Sequence, residues 1–261
     1  MTPRLKDRVK AKVATQVIKR MTRDERIIRV FLGAKPDDVP KRLLLVATPF
    51  VLDRASSRLS KVRITGSITL GQYEDVDVGI VNTGMGTPSA AMVMEAVVRT
   101  QPIAAVRGEL CGGLGETQKI GDAFLATEAI VGDGCGLTYF GSESTVTAHA
   151  GFTEHVLKTA ERLKLMTHRG KIWTTDVLLK QTKELLADWI EKGAMAVDME
   201  SSAILGIASM ENVPAASLNC ISDLPERAMG PFDMKEVDPN FLTGLDLTLI
   251  AALRSVATWQ D

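Results

Sequence analysis

One apolar run that ends in two carboxylates constrains this chain most. Ala194–Val197 has the length and composition of a buried strand, and Asp198 and Glu200 follow it directly. Small and apolar residues from Ser201 onward then favour a helix. In a chain that alternates strands and helices, the carboxyl ends of the strands open onto the ligand crevice. The pattern therefore predicts either a ligand site or a helix cap, in which Asp198 or Ser201 accepts backbone N–H groups.

Length and composition are those of a soluble globular α/β domain. The chain has 261 residues, of which 45% are hydrophobic and 24% charged, and its net charge of -1 gives no general attraction to nucleic acid or to a membrane surface. No run was expected to reach the roughly 18 to 20 apolar residues of a membrane span, and the charged N-terminus is unlike a signal peptide. A cytoplasmic protein is therefore expected. Three cysteines and three histidines without paired spacing predict neither a disulfide framework nor a metal site.

Hydrophobic periodicity predicts the order of the elements. Residues 4–31 carry a helical apolar stripe among many basic residues, which is typical of a solvated surface helix or of an oligomer contact. Residues 1–40 are predicted to be an N-terminal helical extension and residues 41–261 the main domain. Strands are predicted at 43–48, 64–70, 76–83, 103–106, 123–131, 171–175 and 215–221, helices at 88–99, 154–165, 177–192, 201–210 and 241–259, a long loop at 132–150 and an irregular flap at 225–239.

A glycine turn follows the strand predicted at 76–83. The segment reads Gly84-Met85-Gly86, and Pro88 marks the start of the next helix. Bare N–H groups at such a helix start suit an anion, which makes Gly84 a candidate phosphate contact. The dinucleotide fingerprint is not matched, because Ser89 stands where its third glycine belongs. The alternative is a tight turn that needs only the backbone freedom of glycine.

Two further strands are predicted to end in polar residues. Arg107 follows the strand at 103–106, and its planar guanidinium can bind two oxygens of a phosphate or carboxylate. The alternative for Arg107 is an internal ion pair with Glu109. Ser222 and Asp223 follow the strand at 215–221 and repeat the acidic ending seen at Glu200. If these strands are parallel, their ends converge at one edge of the sheet.

The chemistry that suits this set of side chains is cleavage of the bond between a sugar and a base. One carboxylate can hold the sugar hydroxyls while positive charge grows on the sugar. A second, protonated carboxyl can give its proton to the leaving base.

These segments together resemble the nucleoside phosphorylase and nucleosidase superfamily, from about residue 43 to the C-terminal helix. Val197-Asp198-Met199-Glu200 is similar to the ribose-binding segment of that family, which implies that Met199 and Glu200 bind the ribose. Gly84-Met85-Gly86 is similar to the turn whose methionine lies near the ribose. The resemblance implies a single-domain three-layer α/β/α sandwich whose central sheet is mixed and partly barrel-like.

The same resemblance assigns the base-binding side. Ser222-Asp223 is similar to the Ser-Asp pair whose aspartate protonates or hydrogen-bonds N7 of a purine, so Asp223 is the implied acid. Trp173 stands where the family places an aromatic residue against the base. Asp198, by contrast, fits the helix-cap alternative better than Glu200 does.

Three segments resemble short AMP nucleosidases more than phosphorylases: Cys111-Gly112-Gly113-Leu114, Thr117-Gln118-Lys119-Ile120-Gly121-Asp122 and Ser222-Asp223-Leu224-Pro225. This implies an enzyme that hydrolyses AMP to adenine and ribose 5-phosphate. It implies no cofactor, apart from phosphate as co-substrate in a phosphorylase. It also implies a homo-oligomer, dimeric or hexameric, with a small nucleoside or nucleotide as its partner.

The chain departs from the phosphorylase pattern at two turns. The family's phosphate-binding segment after the first strand reads Ala47–Arg54 here, where only Arg54 offers a cation. Arg63 lies roughly where family members supply an arginine to the phosphate of the neighbouring subunit. At Arg107, the hydroxyl of the phosphorylase turn is replaced by Leu110, and Glu109 would repel phosphate unless Arg107 neutralises it. Two alternatives stay open: a phosphate-dependent purine nucleoside or uridine phosphorylase, and a nucleoside-binding protein without catalysis.

Overall fold

The computed structural model describes residues 5–141, 144–225 and 236–260. Within these ranges the helices are α1 (Leu5–Lys19), α2 (Arg23–Phe31), α3 (Pro49–Ser56), α4 (Thr87–Val98), α5 (Gly134–Phe140), α6 (Ala150–Arg162), α7 (Lys183–Glu191), α8 (Ser201–Met210) and α9 (Pro239–Thr258), with a 3-10 helix at Pro36–Asp38. The strands are β1 (Arg42–Val46), β2 (Ser60–Thr65), β3 (Ile68–Tyr73), β4 (Val76–Asn82), β5 (Ala104–Gly113), β6 (Ala123–Gly132), β7 (Thr145–Thr147), β8 (Thr167–Thr175), β9 (Ala194–Asp198) and β10 (Ala215–Asp223).

The sheet consists of a closed ring and an open wing that share strand β5. In the ring, β5 pairs with β9 and β10, while β6 and β8 complete the circle in the order β5-β9-β8-β6-β10. In the wing, β1, β4, β3 and β2 continue from β5, and β7 adds to β6. The sheet contains parallel pairs such as β1–β5 and antiparallel pairs such as β5–β9. The expected α/β class with a mixed, partly barrel-like sheet is confirmed.

Strand β5 serves both parts because its edge is divided between two partners. Its first half pairs with β1 through Ala104–Arg107, and its last two residues pair with β9. The opposite edge pairs with β10 over most of its length. The prediction that this strand ends at Val106 was wrong. The apolar run stops at Arg107, but the strand continues because partners elsewhere in the chain neutralise that side chain.

Helices cover both faces of the sheet, which gives the three layers. On one face α2, α4 and α8 bury a cluster that includes Ile28, Met94 and Ile204. On the other face α3, α6 and α9 bury a second cluster that includes Phe152 and Leu249. The functional strand ends emerge between these two cores.

Helix α9 is a long apolar helix of 20 residues. By length and composition alone it is the one helix in the described ranges that could cross a membrane, with a mean hydropathy of 1.4. The expectation that no segment reaches such a length is therefore corrected. Leu245, Leu249 and Leu253 of α9 are fully buried in the second core. Its apolar character is thus accounted for by packing within the fold.

The N-terminal segment forms two helices where one was predicted. Thr22 separates them, because its side chain accepts the Glu25 N–H at 3.1 Å while the Glu25 carboxylate accepts the Thr22 N–H at 2.8 Å. This reciprocal cap starts a new helix. Ile28 of α2 is buried in the same cluster as Leu43 of β1. The domain boundary at residue 40 stays a prediction.

Several other element predictions need correction. The strand pair predicted at 64–70 and 76–83 is three strands, β2 to β4, and helix α3 was not predicted. The long loop predicted at 132–150 contains α5, begun by Asp133 accepting the Gly136 N–H, and strand β7. Most of the predicted flap, residues 226–235, lies outside the described residues.

Candidate active site

A cavity of about 290 Å³ opens where β5, β9 and β10 end. From the sequence, these strand ends were expected to converge if the strands were parallel. They do converge, but the three strands are not all parallel. Instead β9 runs antiparallel to β5, so its last residues turn back toward the middle of that strand. The cavity is lined by Ala47, Thr48, Met85, Arg107, Glu109–Gly112, Leu178, Gln181, Val197–Glu200, Ser222 and Asp223.

Glu200 lies between the end of β9 and the start of α8, and it is buried. One carboxylate oxygen, Oε2, lies 2.5 Å from Nη2 of Arg107, and the other, Oε1, accepts the Gly86 N–H at 2.8 Å. Burial raises the pKa of Glu200; the Arg107 guanidinium opposes this and Asp198 adds to it. The carboxylate is therefore held in one orientation by β5 and by the glycine turn before α4.

Arg107 lies in the middle of β5 and is only 2% exposed. Besides Glu200, its guanidinium faces Asp198 at 3.4 Å and donates to the side-chain oxygen of Asn219 on β10. Burial alone would lower the pKa of Arg107, but Asp198, Glu200 and Glu109 together raise it above its ordinary value. Arg107 therefore forms an internal ion pair, as the alternative prediction stated. The partners in contact are Glu200 and Asp198 rather than Glu109.

Asp198 caps helix α8, as predicted. Its Oδ2 accepts both the N–H of Ser201 at 3.0 Å and the hydroxyl of Ser201 at 2.6 Å. Its Oδ1 accepts the hydroxyl of Thr174 on β8 at 2.9 Å. Asp198 therefore fixes the start of α8 and, with it, the backbone that carries Glu200.

Asp223 ends β10 on the opposite side of the cavity. The register of β10 against β5 shifts between Ile221 and Asp223, so Ser222 is an extra residue at this point. Such a bulge turns the following side chain to the other face of the strand, away from the core in which Ile221 is buried. Burial raises the pKa of Asp223 to about 6, although the Ser222 hydroxyl, 2.6 Å from Oδ1, opposes the shift. Asp223 can therefore hold a proton near neutral pH.

Glu109 follows two residues after Arg107 on β5 and is buried at the turn between β1 and α3. Its Oε1 accepts the N–H groups of Ala47 and Thr48 and the hydroxyl of Thr48, at 2.7 to 2.9 Å. Its Oε2 accepts the N–H of Leu110 at 2.9 Å. Both oxygens of this carboxylate therefore accept hydrogen bonds from the chain itself.

Comparison with known proteins identifies the family. A model of the phosphorylase superfamily matches residues 41–253. The chain belongs to the phosphorylase superfamily. It is 25% identical over 234 residues to a DeoD-type purine nucleoside phosphorylase of Mycoplasma pneumoniae, covering 85% of this chain and 98% of that protein. The predicted family resemblance is confirmed, and with it the class of enzyme, one that cleaves N-glycosidic bonds.

Solved structures of the superfamily share the fold. The chain is similar to uridine phosphorylase from Vibrio fischeri, with a TM-score of 0.76, 19% identity and coverage of 86% of this chain and 95% of that one. It is also similar to AMP nucleosidase from Bacteroides thetaiotaomicron, with a TM-score of 0.70, 23% identity and coverage of 88% and 95%. At these identities the likeness concerns the fold alone.

Trp173, which the superfamily resemblance places against the base, is buried in the structure. Its indole stacks on Trp189 of α7, with ring centroids 5.5 Å apart, in a separate buried cluster. Gly132 permits this position, because a Cβ there would lie 2.2 Å from the indole. The tryptophan is thus packed beside the cavity and is not among the residues that line it.

Of the predicted phosphate contacts besides Arg107, Arg54 and Gly84 have partners away from the cavity, and Arg63, predicted for the phosphate of a neighbouring subunit, stays a prediction. Arg54 forms an ion pair with Asp246 of α9, with Nη2 2.8 Å from Oδ1. Arg63 is exposed on strand β2 and belongs to a different surface depression. The Gly84 N–H donates to the side chain of Asn82, and Gly84 is not part of the cavity lining. In the same turn it is Gly86 whose N–H reaches the site.

Met85, Met199, Glu200, Ser222, Asp223 and Arg107 are brought together at one cavity. The sequence reasoning missed Asn219, which orients Arg107, and the anchoring of Glu109. Ser217 and Asn219 are polar residues two positions apart in a largely apolar strand. Because side chains two apart lie on the same face of a strand, this spacing could have predicted a polar site on that face. The Glu109 contacts had no local signal, because Glu109 and Thr48 are 61 residues apart.

Proposed function

We propose that this chain cleaves the N-glycosidic bond of a purine nucleoside or nucleotide. One observation carries the proposal: a clamped carboxylate, Glu200, and a carboxyl whose pKa is raised to about 6, Asp223, line the same cavity. Two carboxyl groups in different surroundings are what a reaction with one electrostatic and one acidic role requires.

In the proposed mechanism Glu200 accepts hydrogen bonds from the ribose hydroxyls and stabilises the positive charge that develops on the sugar. Asp223 gives its proton to N7 of the purine as the bond between C1′ and the base breaks, so the base leaves as a neutral molecule. Acid catalysis of this kind contributes about 10² to 10⁴ in rate. Met85 and Met199 flank the ribose, and Ser222 positions Asp223.

The finer proposal is hydrolysis of AMP to adenine and ribose 5-phosphate by a cytoplasmic homo-oligomer. The motifs around Cys111 and Asp223 support it, as does the anchoring of Glu109 described above. The second candidate is phosphorolysis of a purine nucleoside, favoured by the relatives in sequence, which include purine nucleoside phosphorylases. A third, a nucleoside-binding protein without catalysis, keeps the same cavity.

The deciding experiment incubates the purified chain with AMP, adenosine, inosine and uridine, with and without phosphate, and measures free base. We expect adenine release from AMP without phosphate. The Glu200→Ala variant should lose this activity while keeping its circular-dichroism spectrum. Strict dependence on phosphate would favour the phosphorylase, and binding of a nucleoside without base release would favour the binding protein. Full activity of Glu200→Ala would remove the central residue of the mechanism.

A further inference from the structure

Glu109 places a negative charge at the start of helix α3. The helix begins at Pro49, directly after Thr48, and strand β1 ends just before it. Backbone N–H groups at a helix start bind anions, because they lack partners within the helix and lie at the positive end of its dipole. In this chain the N–H groups of Ala47 and Thr48 and the Thr48 hydroxyl all donate to Glu109 Oε1.

These three donors of the turn are therefore already used by an anion that belongs to the protein. Ala47, Thr48 and Glu109 all line the same cavity as Glu200 and Asp223. Among the described residues, the two arginines predicted to bind phosphate from within this chain's own site are engaged too, since Arg107 is paired with Glu200 and Arg54 with Asp246. A phosphate dianion that entered the cavity would find the Glu109 carboxylate bound to these donors. The two negative charges would repel each other.

We infer that Glu109 is a specificity-determining residue: it fills the anion position of the cavity, excludes phosphate and leaves water as the nucleophile. This inference rests on the proposed function. The bond from C1′ to the base breaks, and its electron pair leaves with the base, which takes the proton of Asp223. A water oxygen then donates an electron pair to C1′. The proton that this water loses passes to solvent, from which Asp223 is reprotonated.

The first test measures phosphate binding and does not depend on turnover. Thermal unfolding is followed with increasing phosphate, against chloride at equal ionic strength, for the wild type, Glu109→Ala and Glu109→Gln. We expect no specific shift for the wild type. Both variants should show a saturable rise in the unfolding temperature, with phosphate binding roughly tenfold tighter or more than in the wild type. Glu128→Ala, which removes an equal charge outside the cavity, should behave like the wild type.

The second test identifies the sugar product of the wild type. Hydrolysis yields a reducing sugar with or without phosphate, whereas phosphorolysis yields a sugar 1-phosphate, which is not reducing. The inference is overturned if the wild type binds phosphate as well as the variants do, if a folded Glu109 variant binds none, or if the wild type forms the 1-phosphate. Should neither variant fold, the product of the wild type alone decides. Failure to release base from any substrate would count against the proposed function, while the binding test would still judge Glu109.

Discussion

At the scale of single residues, two carboxyl groups of the cavity differ because their surroundings differ. Glu200 has a guanidinium and a backbone N–H as partners. The hydrogen bond that Asp223 accepts comes from the neutral Ser222 hydroxyl, and burial acts on its charge with little compensation. The first surroundings favour a carboxylate that holds the sugar. The second favour a carboxyl that keeps a proton.

The role of Asp223 predicts a pH dependence that Ser222 should tune. A general acid must be protonated, so kcat/KM should fall above pH about 6 by roughly tenfold per pH unit. The Ser222 hydroxyl lowers the pKa of Asp223, so Ser222→Ala should move this descending limb to higher pH. The pH profile of base release measures the shift. An unmoved limb, or one that moves to lower pH, would contradict the assignment of the acid.

At the scale of elements, the junction of β5 with β9 depends on charge as well as on strand pairing. Only two residue pairs, Gly112 with Val197 and Gly113 with Ala196, join these strands. Arg107 adds contacts to Asp198 and Glu200 just beyond them. Since these groups are buried, salt in the solvent screens their interaction weakly.

Replacing Arg107 should therefore destabilise the fold strongly. Arg107→Met leaves Asp198 and Glu200 buried without their cation, and breaking a buried ion pair in this way costs about 3–5 kcal/mol. Denaturant unfolding measures the change in the free energy of unfolding. Arg254→Met is the matched control, because Arg254 pairs with Glu74 at the surface and its loss should cost about 1 kcal/mol or less. Equal losses in the two variants would show that the buried pair has no special part in stability.

Strand β5 shows which features local sequence patterns can predict and which they cannot. Apolar runs and helical spacing predicted most strands and helices, since those signals are local. The extent of β5 was missed because Arg107 and Glu109 look like a strand end until their distant partners are known. Asp223 was identified by its motif, yet the bulge at Ser222 that turns it toward the cavity arises from pairing with β5. Closure of the ring depends on pairings that hydrophobic periodicity does not encode.

At the scale of the whole molecule, the site has a cost in stability. The pKa of Asp223 is about 6 in the folded chain and its ordinary value is 3.8, so the folded state binds the proton more tightly than the unfolded state. The stability that this proton gives is present below pH about 4 and is lost as the pH rises toward 6. Above pH 6 the charged, buried group leaves the fold less stable by up to about 3 kcal/mol than an uncharged group would.

The variant Asp223→Asn should accordingly gain stability while it loses function. Its free energy of unfolding should exceed that of the wild type by roughly 1–3 kcal/mol at pH 8, and the difference should vanish near pH 4. Base release should fall by about 10² to 10⁴. Chemical unfolding at several pH values and a turnover assay measure the two effects. A variant less stable than the wild type at pH 8 would show that the buried, charged Asp223 carboxylate does not destabilise the fold.

The ion pair between Arg107 and Glu200 also bears on how the protein is made. Glu200 follows Arg107 by 93 residues, which at ribosomal speeds of about 5 to 20 residues per second is a delay of roughly 5 to 20 seconds. During synthesis the guanidinium must stay in water until β9 arrives, because it is too costly to bury alone. The ring therefore closes late, and the cavity exists only after most of the chain has been translated.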